Sequence, residues 1–342
     1  MKKKTAIIFG VTGQDGYYLV KLLLKKNYIV HGIKRRSSSV PTYRITNFLK
    51  QKNFTIHYGD LTDTSSIHSL INMIKPDEIY NLAAQSHVGV SFFTPLFTAN
   101  VNAIGVLAIL EAIRLSPKKI KFYQASTSEM FGKTKSKFQS EKTIFNPQSP
   151  YGTAKVFAHL ITQNYRDAYK IFASNGILFN HESPFRGDNF VTKKIISSLT
   201  KIRYGKQRQL VLGNLYSKRD WGHASDYVEA IHKILQQKKP SDYVIATGKE
   251  YTIKKFVEKT AKKLKLKLYW SGNGMKEHAS DENGRIIIKV SKIYFRPLEV
   301  DYLKGDASKA RKVLKWRPKI NLDRLIDEMI EYEKSLLFNS KK

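Results

Sequence analysis

Between an apolar run at residues 5–9 and an amphipathic stretch at 17–26 the chain reads Gly10-Val11-Thr12-Gly13-Gln14-Asp15-Gly16. Three glycines at a strand-to-helix junction restrict the fold more than any other feature. The first permits a tight turn, the second lets the backbone approach a bulky anion, and the third lets the helix pack closely on its strand. Free amides of the helix's first turn then face that anion. The spacing is three-and-three, not the Gly-x-Gly-x-x-Gly of the general dinucleotide fingerprint, so its context has to carry the reading. Further β-branched or apolar runs at 29–33, 54–57, 78–82, 121–125 and 174–178 alternate with helical patterns at 65–74, 99–115 and 151–169. That rhythm predicts an α/β fold, a Rossmann-type doubly wound parallel sheet covered by helices on both faces. After about residue 180 it becomes irregular. Loops carry Pro184, Gly187, Gly205 and Gly213, and a polar stretch at 271–284 reads as a mobile insertion. An apolar run at 243–246 reads as a late strand returning to the sheet. A smaller, mixed α/β C-terminal substrate domain is therefore expected. Its boundaries are placed at 181–224 plus 249–342, leaving 1–180 plus 225–248 to the dinucleotide-binding domain.

The 342 residues suffice for one large or two linked domains. With 42% hydrophobic and 12% aromatic residues they fill a core, which excludes a disordered or collagen-like chain. Charge is the outlier: 60 Lys+Arg against 28 Asp+Glu leave +32. Such a balance suggests anionic partners, nucleic acid among them. Yet only 14 of the 60 are arginines, and the 46 lysines are scattered along the whole length, so a solvated lysine surface is the simpler expectation. The absence of cysteine removes disulfides, thiolate metal sites and cysteine nucleophiles. The nine histidines show no ligand spacing, and no metal is expected; His87 and His223 read as structural groups. No apolar stretch reads as the ~18 residues a membrane span needs. The run after the basic N-terminus breaks at Gly10, too short for a secretory core. Neither nucleic acid nor a membrane is an expected partner, and a cytoplasmic location is expected.

The second candidate strand ends His31-Gly32-Ile33-Lys34-Arg35-Arg36-Ser37-Ser38-Ser39. An NAD site wants an acid about 20 residues beyond the glycine loop to hold the ribose hydroxyl. None is present here. Two arginines and three hydroxyls suit a 2′-phosphate, which an aspartate would repel, so NADP is the expected cofactor. Downstream, Tyr151-Gly152-Thr153-Ala154-Lys155 places a phenol and an ammonium one turn apart on one helix face. A nearby cation stabilises phenolate and lets the tyrosine exchange protons below its free pKa of about 10. After the fifth strand comes Gln124-Ala125-Ser126-Thr127-Ser128-Glu129, at the strand end where open parallel sheets bind ligands. Thr127 offers a hydroxyl to a sugar oxygen beside the tyrosine. Glu129 adds a base for a carbon-bound proton, which simple hydride transfer does not need.

Together these residues resemble the extended short-chain dehydrogenase/reductases, and within them the GDP-mannose 4,6-dehydratase family. The resemblance runs nearly end to end, from the glycine loop to Trp316-Arg317-Pro318. The glycine loop and Tyr-x-x-x-Lys mark only the superfamily. Thr127-Ser128-Glu129 marks the sugar-nucleotide dehydratases, and Asn180-His181-Glu182-Ser183-Pro184 the GDP-mannose branch, with Arg219-Asp220-Trp221-Gly222-His223 and Tyr294-Phe295-Arg296-Pro297 beside them. It implies conversion of GDP-mannose to GDP-4-dehydro-6-deoxy-mannose plus water by internal hydride transfer through bound NADP, the first step towards GDP-fucose and related deoxysugars. Catalytic roles are implied for Thr127, Ser128, Glu129, Tyr151 and Lys155. Gly10, Thr12, Gly13, Gln14, Asp15 and Gly16 would hold the pyrophosphate, Arg35 and Ser37 the 2′-phosphate, and Asp60 and Leu61 the adenine. Leu82, Ala83, Ala84, Gln85 and Ser86 would line the path to the nicotinamide, with Tyr151, Lys155, His181 and Arg186 nearby. For the substrate the resemblance implies Ser86, Thr127, Glu129, Asn180, Val191, Lys193, Leu212, Gly213, Asn214, Arg219, Arg296 and Glu299. Guanidiniums at 219 and 296 suit a diphosphate, and a carboxylate at 299 suits the donor edge of guanine. Phe97 stands where related sequences carry a tyrosine. Homodimers or homotetramers are implied, the loop at 35–44 reaching towards a neighbouring subunit's cofactor. Three readings stay open beside this one. They are a 4,6-dehydratase of another GDP-sugar such as a GDP-heptose, an epimerase or reductase of the superfamily, and a non-catalytic NADP-binding protein on the same fold. Glu129 argues against the second, and the intact Tyr151 and Lys155 against the third.

Overall fold

The computed structural model describes residues 3–37 and 42–339. Strands that are covered on both faces read as unbroken apolar runs, and Ala6, Ile7, Ile8 and Phe9 are all buried. They form β1 (Thr5–Phe9), an interior strand of a seven-stranded, all-parallel sheet. β2 (Ile29–Lys34), β3 (Phe54–Tyr58), β4 (Glu78–Asn81), β5 (Lys121–Thr127) and β6 (Ala173–Leu178) belong to it. The chain then leaves for β7 (Asn180–Glu182), β8 (Leu210–Leu212) and β9 (Lys218–His223) before β10 (Tyr243–Ile245) returns to the edge. The order is β3-β2-β1-β4-β5-β6-β10. The strand order reverses between β1 and β4, which run parallel, and the crevice outside their C-terminal ends is where such sheets bind ligands.

Helices Gln14–Lys25 and Ala224–Leu235 cover one face, burying Val20, Leu23, Ile231 and Ile234 against Ile8 and Val30. Thr64–Ile74, Gly105–Arg114 and Pro150–Tyr169 cover the other, around Ile7, Phe9, Ile109, Ile113 and Phe122. The helical run Pro95–Arg114 corrects one expectation, because its length and composition would let it cross a membrane. Most of its apolar surface is instead buried inside the protein, and a π-helical segment, Asn100–Ile104, lies within it.

The second half builds two small sheets. β11 (Glu250–Thr252), β9 and β7 make a three-stranded one, and β12 (Tyr269–Ser271), β13 (His278–Ser280), β14 (Ile286–Val290) and β8 a four-stranded one. Helices Val191–Arg203, Ile253–Lys263 and Leu322–Asn339 pack around Ile195, Leu199, Trp221, Phe256, Ile288 and Met329. The stretch at 271–284 is thus no mobile insertion: it contains β13, with Ala279 fully buried. Its polar residues are turn chemistry. The Asp281 carboxylate accepts from the backbone N–H groups of Asn283 and Arg285 and pairs with the Arg285 side chain, while Gly284 takes a φ of +74°.

Candidate active site

The glycine loop has the geometry its spacing demanded. Gly10 turns at φ +80°, and a Cβ there would stand 2.7 Å from the Ala83 nitrogen. One on Gly16 would stand 2.3 Å from the Val11 carbonyl oxygen. Gly13 is the N-cap of helix Gln14–Lys25 and caps it with no side chain, leaving the first-turn amides for an anion. Two side chains tie this loop to residues far along the chain. Gln14 donates to the His181 carbonyl at 3.0 Å and accepts from Ser183 Oγ at 2.7 Å. The Asp15 carboxylate lies 2.8 Å from His181 Nε2, while Nδ1 of the same ring faces the Phe179 carbonyl at 2.7 Å. Both ring nitrogens face acceptors, so both donate and the ring is an imidazolium, stacked 4.5 Å from the Tyr227 ring. Burial opposes that charge, but the Asp15 carboxylate outweighs it and raises the His181 pKa. The imidazolium in turn holds Asp15 low against its own burial. Arg44 adds an unforeseen staple, donating to the Phe185 carbonyl at 2.9 Å and the Thr12 carbonyl at 3.2 Å.

The catalytic candidates meet at the end of β5. Ser149 Oγ accepts from the Gly152 N–H at 3.0 Å and Pro150 opens the helix, so Tyr151 enters in its first turn. A Cβ on Gly152 would stand 2.9 Å from the Glu129 carbonyl oxygen, which is why this turn and the Ser128–Met130 turn can touch. Met130 and Phe131, fully buried, anchor the second turn. The Thr127 hydroxyl faces the Tyr151 phenol and favours its ionised form. Lys155 donates to the Ala125 carbonyl at 2.9 Å. Its Nζ is 6.0 Å from the centre of the Tyr151 ring, and burial raises that phenol to about 12. The expected lowering by Lys155 is therefore not seen in the protein alone.

These groups face a cleft of about 870 Å³. From the cofactor set it is lined by Gly10, Gly13, Gln14, Asp15, Gly16, Leu82, Ala84, Ser86, His181 and Arg186. From the catalytic and substrate sets it is lined by Thr127, Ser128, Glu129, Tyr151, Lys155, Asn180, Val191, Leu212, Gly213, Asn214, Arg219, Arg296 and Glu299. Arg219 is buried, which lowers its pKa, and Glu129 is the foremost group opposing that. Asn180 Oδ1 is buried without a hydrogen-bond partner.

Several expected residues stand behind the wall. The Thr12 carbonyl and Ala83 backbone serve the loop's own packing. Asp60 Oδ1 accepts from Thr62 N–H and Oγ1 in a tight turn, and Leu61 is buried beneath Gly105. Gln85 donates to the His87 carbonyl and Thr98 Oγ1. Arg35 and Ser37 lie exposed beyond β2, outside the cleft, and Ser38 and Ser39 lie outside the described residues, as does part of the loop at 35–44.

Lys193 is a correction. Its ammonium is buried against Glu333 and donates to the Pro184 carbonyl at 3.0 Å, whereas Lys194 lines the cleft, 3.4 Å from the centre of the Tyr294 ring. Helical spacing explains it: Val191 and Lys194, three apart, share a face, and Lys193 does not. Lys194→Ala is expected to raise KM for the substrate about tenfold with the thermal midpoint kept. Lys193→Ala should cost about 3 kcal/mol of stability, since it strands a buried carboxylate. Steady-state kinetics and melting curves on both variants check this, and the reverse pattern would restore the original assignment. His87 and His223 each serve as a helix N-cap, and His87 also lines the cleft.

Comparison with known proteins places the chain. The family described as GDP-mannose 4,6 dehydratase matches residues 7–329. The GDP-mannose 4,6 dehydratase of Drosophila melanogaster is 51% identical, over 98% of this chain and 87% of that one. Those of Vibrio cholerae and Homo sapiens are 49% and 48% identical, over 96% and 98% of this chain and 93% and 92% of theirs. Among solved structures, a dTDP-glucose 4,6-dehydratase from Bacillus anthracis in complex with NAD superposes with a TM-score of 0.81 at 20% identity, covering 99% of this chain and all of that one. RMD from Pseudomonas aeruginosa complexed with NADPH gives 0.76 at 18%, covering 97% of this chain and 100% of that one. At such identities these two speak for the fold alone. With the glycine loop, the Thr127–Glu129 turn and a set of basic residues lining one cleft, and with half of all residues shared along nearly the whole chain, this protein belongs to the GDP-mannose 4,6-dehydratase family.

Proposed function

We propose that the cleft converts GDP-mannose to GDP-4-dehydro-6-deoxy-mannose and water, with NADP along the glycine loop. The observation that carries this is the carboxylate of Glu129 in the turn capped by Thr127, lining the same cleft as the Tyr151 phenol. A dehydrogenase needs only the phenol; the carboxylate is what an elimination adds. The uncapped helix N-terminus and the bare Gly13 fit a pyrophosphate. When bound, the dinucleotide supplies the acceptor that takes a hydride from carbon 4 and returns it to carbon 6. Tyr151 takes the proton of the carbon 4 hydroxyl, whose oxygen Thr127 positions. The resulting ketone acidifies the hydrogen on carbon 5, and Glu129 removes it. The same carboxyl, beside Ser128, passes that proton to the oxygen leaving carbon 6; carbon 5 then regains a proton exchanged with solvent as carbon 6 takes the hydride, and the proton held by Tyr151 returns to solvent. Arg219, Lys194 and Arg296 face the diphosphate.

The choice of NADP rests on Arg35 and Arg36 and on the lack of an acid at the end of β2. Arg35→Asp is expected to lower the preference for NADP⁺ over NAD⁺ about 100-fold, read from the two dissociation constants. An unchanged ratio would remove Arg35 from the 2′-phosphate. The whole reading is tested by incubation with NADP⁺ and a panel of nucleotide sugars, GDP-mannose and a GDP-heptose included, in deuterated water. A 4-keto-6-deoxy product from GDP-mannose with deuterium at carbon 5 is expected; turnover of the heptose alone would shift the substrate, and no turnover would defeat the proposal. For assembly we propose a homodimer or homotetramer. In support, the helices over 95–114 and 150–169 leave Leu96, Phe97, Ile104, Phe157 and Leu160 exposed.

A further inference from the structure

The arginines of the substrate wall are not equivalent. Arg219 donates through Nη1 to the Lys218 carbonyl at 2.9 Å and is held in place by its own strand. Arg296 sits on a segment outside any strand. Its backbone N–H donates to Glu299 Oε1 at 3.0 Å, which anchors the main chain and leaves the side chain to reach across the cleft. There its Nη1 lies 3.9 Å from Glu129 Oε1, buried and without a hydrogen-bond partner. A charge pair at that distance attracts but forms no hydrogen bond, and an anion offering direct N–H···O contacts outcompetes it. The acid–base carboxylate and a guanidinium of the anion site are thus in contact before the ligand that needs both has arrived.

We infer that Arg296 is a positioning residue with alternating partners: it holds the Glu129 carboxylate in the free protein and is drawn away by the substrate's diphosphate. The inference rests on the reading that a GDP-sugar binds here. Its consequence is that the base is relieved of its counter-charge only when the sugar is presented. Binding energy from a remote, unreactive part of the substrate is thereby spent at the reacting centre. A sugar monophosphate, lacking the bridging anion, leaves Arg296 where it is.

The test is a double-mutant cycle with GDP as the probe, titrated calorimetrically into NADP-saturated protein. Glu129→Gln should tighten GDP about fivefold, because Arg296 no longer has to leave a carboxylate. In an Arg296→Gln background the same change should alter affinity by less than about twofold. Equal tightening in both backgrounds would show simple repulsion between Glu129 and the diphosphate and overturn the inference, as would no tightening in either. NADPH affinity of each variant reports its folding, and Arg296→Lys replaces Arg296→Gln should the latter fail that control. Wild-type protein that does not bind GDP at all would sink the GDP-sugar reading itself. GDP binding with an uncoupled cycle would sink only the inference.

Discussion

Glu129→Gln is expected to slow the release of water from GDP-mannose by about 10³-fold while oxidation at carbon 4 stays within about tenfold of wild type. The split arises from the geometry. Tyr151 and the Thr127 hydroxyl face one another in the cleft without the Glu129 carboxyl between them as a hydrogen-bond partner, so the groups proposed for the first proton are intact in the variant. The turn that carries Glu129 is held by its backbone and its neighbours. The Glu129 N–H donates to Thr127 Oγ1 at 3.3 Å, and the buried Met130 and Phe131 side chains pin the C-terminal side of the turn. An amide of the same shape keeps that turn and loses only the ability to take the carbon 5 proton. Single-turnover mixing should show reduced dinucleotide accumulating where wild type shows it transiently, and no deuterium entering carbon 5. Wild-type dehydration by the variant would remove Glu129 from the proposed role.

The fold was legible because the residues that make it carry local signals. Runs such as Ala6 to Phe9 are apolar throughout, since the sheet is covered on both faces, and Gly10 and Gly16 each occupy a position that tolerates no side chain. The grouping of the candidate residues was legible for the same reason: Tyr151 and Lys155 lie one helical turn apart, and Thr127 ends β5 with Glu129 in the turn that follows. What stayed hidden depends on contacts between distant residues. Asp15 and His181 lie 166 positions apart, and nothing local marks the imidazolium they create. Arg44 looks like any arginine in a loop, and nothing local marks its bonds to the Phe185 and Thr12 carbonyls. Lys193 and Lys194 are neighbours in a motif, and only helix periodicity separates a buried ion pair from a cleft-facing ammonium. At 271–284 polarity imitates mobility, because Asp281 and Gly284 are polar and small in the service of a turn.

The +32 charge divides along similar lines. Lys259 and Lys263 of one helix pair with Asp323 and Asp327 of another at 2.9 and 2.6 Å, and Lys319 pairs with Glu229 at 2.7 Å. Exposed pairs of this kind contribute ~0–1 kcal/mol each and describe a solvated surface. The cations that line the cleft are few, Lys155, Arg186, Lys194, Arg219 and Arg296, and of these Lys155 and Arg219 are buried, 3% and 7% exposed.

That burial makes Lys155 the site of an opposed pair of outcomes. Lys155→Met is expected to cut turnover about 10³-fold and yet to raise stability at pH 7 by about 1 kcal/mol. The ammonium lies in the interior with the Ala125 carbonyl as its hydrogen-bond partner, and burial lowers its pKa from 10.5 to about 8. Below pH 8 the lysine is charged in both folded and unfolded chains, and the folded one bears the full cost of a poorly solvated cation. Between about 8 and 10.5 the unfolded chain binds more protons than the folded one, so stability rises with pH through that window. The advantage of methionine should therefore be largest at pH 7 and vanish above about pH 10. Melting curves of both proteins at pH 7 and pH 10, with turnover measured on the same samples, give all the quantities needed. A variant that melts lower than wild type at pH 7 would mean that the ammonium stabilises the fold, and a structural role for Lys155 would replace the catalytic one. With Tyr151 raised to about 12 by the same burial, the protein presses both members of the pair towards their neutral forms.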